Sequence, residues 1–137
     1  MREVPPEVRA TYLAAEVRIA DGAVLVNAVD SPLLRSGAVH VLTAWNPGAL
    51  RPTEDENHAA SRELHARIVQ WGFQPHRAVG CDPESPHHEE GWAVVGMTDE
   101  QACALGAAFG QDAVFRIDPG VLTVLACDGS WSDSRPL

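Results

Sequence analysis

A chain of 137 residues is long enough for one domain with its own hydrophobic core, without metal or disulfide staples. Its formal charge of −9 argues against nucleic-acid and anionic-membrane partners, because a phosphate surface rewards clustered positive charge. All ten basic residues are arginines, dispersed from Arg2 to Arg135, and the absence of lysine excludes a Schiff-base or P-loop lysine.

No run approaches the roughly 18–20 apolar residues that span a bilayer. The first residues, with Glu3, Pro5, Pro6 and Glu7, do not resemble a signal peptide. Cys81, Cys103 and Cys127 are far apart and form no CxxC, so reduced thiols in a cytoplasmic protein are expected.

Pro5-Pro6-Glu7 opens a helix whose short apolar stripe holds Val8, Tyr12 and Leu13. Two strand-like runs, around 15–20 and 23–29, flank Asp21-Gly22, a hairpin signal. Ser31-Pro32 caps one helical turn ending at Gly37. Val39 to Ala44 is apolar at nearly every position, as suits a strand buried on both faces, and Pro47-Gly48 breaks the chain just after Thr43, Trp45 and Asn46.

Thr53-Glu54-Asp55-Glu56 matches the capping box, with three acidic residues at the positive end of the helix dipole. Asn57, Ala60, Leu64, Ile68 and Trp71 form the stripe of that helix, and Gly72 its exit. Residues 75–80 read as a short strand, Asp82 to Glu90 as a polar loop, and Trp92 to Met97 as another strand. Thr98-Asp99-Glu100-Gln101 repeats the capping box and opens a helix with Ala102, Leu105 and Phe109 on its stripe. Ala113–Ile117 and Val121–Ala126 flank the turn triplet Asp118-Pro119-Gly120.

These elements predict a single α+β domain over residues 1–127: a mixed, mainly antiparallel sheet with its central strand at about 39–45, covered by helices at about 54–71 and 99–109. Residues 128–137 are expected to be a flexible tail.

Asn57 is the most telling polar residue, because it occupies a core-facing position where packing favours leucine or alanine. A buried amide without partners costs about 1–3 kcal/mol, so Asn57 either ties down the 46–53 loop or faces a ligand. Trp45 is either core or an apolar ligand wall. Gln111-Asp112, between the second capped helix and the next strand, caps that helix or points into a cleft.

His87-His88-Glu89-Glu90, near His76, Cys81 and Asp82, carries metal-ligand residue types but lacks the fixed spacing of a zinc site, so a solvated loop is expected and no metal is assigned. His58, Arg62 and His65 share a helix side about 100° from the core stripe, as surface or pocket rim. Ser31, Ser36, Ser61 and Ser85 lack a GxSxG setting. There is no GxGxxG and no P-loop, so no cofactor is assigned.

The segments Thr43-Ala44-Trp45-Asn46-Pro47, Glu56-Asn57, Glu89-Glu90-Gly91-Trp92-Ala93-Val94-Val95-Gly96 and Phe109-Gly110-Gln111-Asp112-Ala113-Val114-Phe115, in this order, resemble DUF3293, a family of small bacterial proteins of unknown function. The likeness extends over almost the whole chain, including the Tyr12 helix and the hairpin after it. The family's middle motif resembles W-x-E-x-S, and here His87, Glu89 and Gly91 stand in its three places. The resemblance implies no reaction, and marks Trp45, Asn46, Asn57, Glu89 and Gln111 as matching a pattern that joins the ends of several elements.

The leading functional expectation is a pocket for a small polar ligand at the end of the central strand. Thr43, Asn46, Asn57 and Gln111 would orient the ligand, Trp45 would form a wall, and Glu89 or Glu90 would be the ionisable, catalytic group if there is a reaction. The alternative is an interaction or regulatory module whose acidic surface meets a basic protein partner. A third is a metal-dependent hydrolase using His76, Cys81, His87 and His88. Residue types leave enzyme and binder open, and do not fix the oligomeric state.

Overall fold

A computed structural model describes residues 3–137, apart from the side chain of Ala49. Helix α1 (Pro6–Ala14) leads into the hairpin β1 (Glu16–Asp21) and β2 (Val24–Asn27). Asp21 pairs with Val24, so the loop is Gly22-Ala23, one residue later than Asp21-Gly22, and Gly22 carries the positive φ that the turn needs. Two short 3₁₀ turns follow, the second capped by Ser31, whose hydroxyl accepts from the Leu33 amide.

The apolar run becomes β3 (Val39–Thr43), followed by helix α2 (Glu54–Gln70) and the hairpin β4 (Pro75–Cys81) and β5 (His88–Val95). Helix α3 (Asp99–Ala108), the hairpin β6 (Ala113–Asp118) and β7 (Val121–Ala126), and β8 (Ser132–Pro136) complete the chain. Both capping boxes form, Thr53 with Glu56 on α2 and Thr98 with Gln101 on α3.

The α+β expectation holds. The strands form one sheet in the order β2-β1-β4-β5-β3-β6-β7-β8, antiparallel at every pairing, with β3 inside it between β5 and β6. Side chains alternate across this sheet and build a core on each face. Val39, Val41, Ala93 and Ile117 face α1 and its Tyr12 and Leu13, whereas Leu42 and Val94 face Leu64 and Ile68 of α2 and Leu105 of α3. Each fully buried leucine or isoleucine contributes about 1.5–3 kcal/mol, and Ile19, Leu64, Ile68, Leu105, Ile117 and Leu122 are all fully buried.

Three expectations are corrected. The polar loop ends at His87 rather than Glu90, so Glu89 and Glu90 lie on β5, where cross-strand pairing to β4 overrides their charge. Residues 132–136 are the edge strand β8, not a flexible tail. Its register on β7 is held by the Thr123–Ser134 hydroxyl bond of 2.9 Å and by Arg135, which donates to the carbonyls of Leu13 and Ala15 at 2.6 and 2.7 Å. Trp71 lies just beyond the last turn of α2 and is exposed, because the core stripe ends at Ile68.

Candidate functional site

Between α1 and the sheet lies a cleft of about 200 Å³. It exists because small residues meet there across paired strands. Glu89 on β5 stands opposite Gly80 on β4, and Gly91, two residues further on the same face, stands opposite Thr43 on β3. A Cβ at Gly80 would meet no atom of the described residues within 4 Å, so the missing side chain leaves open space beside the carboxylate. Tyr12 of α1 and Phe115 of β6, edge to face with ring centroids 6.4 Å apart, form apolar wall together with Val8 and Val41.

The polar rim is built by one linked set of bonds. Asn46 is left-handed (φ 49°, ψ 54°) where the chain turns from β3 towards Pro47, a conformation asparagine tolerates better than other side chains. Asn57, buried in the first turn of α2, fixes it there: its Oδ1 accepts from the Asn46 amide at 3.0 Å and its Nδ2 donates to Asn46 Oδ1 at 3.1 Å. That leaves Asn46 Nδ2 to donate to Glu89 Oε2 at 2.9 Å, and only this orientation of the amide suits an acceptor-only carboxylate. The His87 ring is 3.4 Å from the same oxygen, while Glu89 Oε1 makes no hydrogen bond among the described residues.

The other expected residues are distributed as follows. Gln111 lines the cleft and ties it to β3, its Nε2 donating to the Trp45 carbonyl at 3.0 Å. Thr43 lines the cleft too, with its hydroxyl already engaged, donating to the Glu90 carbonyl at 2.7 Å and accepting from the Trp45 amide at 3.1 Å. Asn57 does not border the cleft and acts behind Asn46.

Trp45 and Glu90 belong to the opposite face. The buried indole packs against His58 and His88, with ring centroids 5.3 and 5.6 Å away, and its Nε1 has no hydrogen-bond partner among the described residues. Glu90 approaches His58 at 3.6 Å and Arg77 at 3.7 Å. Strand alternation separates the adjacent glutamates, and only Glu89 opens on the cleft. His65 packs edge-on to Trp92 at 4.6 Å.

Among the described residues no three His, Cys, Asp or Glu side chains gather as metal ligands. Cys81 pairs with His88, whereas His76 pairs with Ala93 at the far end of β4, so the set nominated for a metal-dependent hydrolase does not converge. Asp82, also on the cleft, is held below the usual carboxylate range by the Glu84 amide and the Ser85 hydroxyl, which bond it within its own turn.

Sequence reasoning missed the walls: Tyr12 and Phe115 as a facing pair, Arg51 on the rim, Gly80, which leaves the floor open, and Gly91, which lets β3 approach there. Gly80 and Gly91, each inside a strand, were the available signal, since glycine in a strand interior marks a place where something else approaches.

A family model described as a protein of unknown function (DUF3293) matches residues 42–114. That span runs from the end of β3 to the start of β6 and includes Asn46, Asn57, Glu89 and Gln111. Neither a curated protein nor a solved structure shows significant similarity to the chain. Helix α1, which closes the cleft, lies outside the matched span, whereas the bonded set of Asn46, Asn57 and Glu89 lies wholly inside it; the chain belongs to the DUF3293 family.

Proposed function

We propose that the protein binds a small ligand in the cleft between α1 and the sheet, with Glu89 as its ionisable group and Asn46 as the residue that positions Glu89. The carrying observation is a carboxylate with one oxygen fixed by an amide and the other open beside a strand glycine. Apolar walls with a few convergent polar groups are what small-molecule sites require. Gln111 contributes an amide to the rim, and Thr43, Trp45 and Asn57 support the site from behind. Should the ligand carry a transferable proton, Glu89 is the group that would accept it, and Glu90 is not.

The test uses Gly80→Val. Gly80 lies in a strand with free space around its Cβ position, so valine fits the backbone and fills the cleft. The variant should melt at or above the wild-type temperature. Small molecules that wild type retains from a metabolite extract, read by mass spectrometry after denaturation, should no longer be retained. Equal retention by both proteins would remove the cleft as the binding site.

A further inference from the structure

We propose that the ligand is a small apolar α-amino acid in its zwitterionic form, with its ammonium on Glu89 and its carboxylate at Arg51. The proposal rests on the cleft being the binding site. Arg51 lines that cleft from the segment between β3 and α2, and forms no ion pair or hydrogen bond among the described residues. The His87 ring meets Glu89 at Oε2, at 3.4 Å, and Arg51 pairs with neither oxygen among the described residues, so the guanidinium and Glu89 Oε1 border one cavity and both stay open to a ligand. Asp82, the other carboxylate on the rim, is taken by its own turn.

A simple cation would satisfy Glu89 and be repelled by Arg51, and a simple anion would meet the reverse. A molecule carrying both charges at one end satisfies both, and the site selects against ligands lacking either. Arginine suits the carboxylate end, because its planar fork matches a carboxylate bidentately. The remaining wall, formed by Val8, Tyr12, Val41 and Phe115, is largely apolar and suits the side chain of such a ligand. A volume of about 200 Å³ equals that of roughly six or seven waters in the liquid. That accommodates a branched aliphatic amino acid.

Isothermal titration of the full chain with L-leucine, isoamylamine (leucine without its carboxylate) and isocaproate (leucine without its ammonium) tests this. Leucine should bind, and each truncated molecule should bind about tenfold or more weakly, as expected for losing one charge-assisted contact. Arg51→Met should erase the preference for leucine over the amine, and Glu89→Gln the preference for leucine over the acid. Amine or acid binding as tightly as leucine overturns the zwitterion, as does the absence of any binding by all three. In either case the Gly80→Val retention experiment decides separately whether the cleft is a site.

Discussion

Asn46 and Asn57 bond each other twice, amide to side chain and side chain to side chain, at 3.0 and 3.1 Å. Asn46 is the non-glycine residue that the described chain holds at positive φ. The pairing therefore serves two ends together: it stabilises an uncommon backbone conformation between β3 and α2, and it aims the Asn46 amide at Glu89. Asn57 is thus a loop lock by its contacts and a positioning residue by its consequence, so the two roles weighed for it in the sequence are not exclusive.

Asn57→Ala should lower stability by about 1–3 kcal/mol in urea unfolding, because it removes both partners from groups of Asn46. The released Asn46 amide would no longer hold Glu89, so affinity for whatever occupies the cleft should fall alongside stability. A stability change below about 0.5 kcal/mol, the usual range for inconsequential surface changes, would show that the pair holds nothing in place.

Gly91→Ser should destabilise the sheet at the floor of the cleft. A Cβ there would overlap the carbonyl oxygen of Leu42, a backbone atom of the adjacent strand that can move only if β3 and β5 separate. Overpacking of this kind costs about 1–3 kcal/mol. The substitution supplies the serine of the family's middle motif, so the cost reports how closely this chain's strands have adapted to glycine. Urea unfolding decides, and a variant as stable as wild type would mean the two strands readily open to accept a side chain.

Local chemistry made much of this fold readable. The capping boxes at Thr53 and Thr98, the 39–43 strand and the burial of Asn57 each follow from residue types at fixed spacing. What escaped depends on contacts between distant segments. The start of β5 at His88 is concealed by charge, since His87-His88-Glu89-Glu90 has loop composition and becomes strand only through its register with β4. β8 is polar apart from Pro136 and relies on Arg135 reaching the carbonyls of Leu13 and Ala15 at the end of α1, about 120 positions earlier in the chain. The two neighbouring glutamates could be assigned to opposite faces only once the strand was known. The cleft arises where Gly80 leaves space beside Glu89, beneath a helix from the far end of the sequence, and no local pattern encodes that coincidence.

Acid should weaken the start of α2 through Glu56. Its carboxylate accepts from the Thr53 amide and hydroxyl, which hold it below the ordinary value of 4.5. A carboxyl lowered in the folded state stabilises fully above its unfolded value, and that contribution is lost as pH falls through the folded value. The advantage of wild type over Glu56→Gln in melting temperature should therefore be constant near neutrality and shrink below pH 4.5. Asp82 and Asp128 are lowered in the same direction, so the difference between the two proteins, not the wild-type curve alone, isolates Glu56. A difference that stays constant from about pH 6 to about pH 3 would assign the capping box no linkage to protonation.

The thiols of Cys103 on α3 and Cys127 after β7 should differ sharply in reactivity. The Cys103 thiol donates to the Ala126 carbonyl at 3.6 Å, and its interaction with the neighbouring Cys127 thiol pulls it below its ordinary value. The same interaction, reinforced by burial and by the charge that a Cys103 thiolate carries, pushes the Cys127 thiol far up. Since the thiolate is the nucleophile, iodoacetamide at about pH 8 should label Cys103 well before Cys127, as followed by peptide mass spectrometry. In Cys103→Ser the repelling thiolate is gone, and Cys127 should be labelled faster than it is in wild type. Labelling of Cys127 first, or no acceleration in the variant, would show that the two sulfurs do not interact in this way.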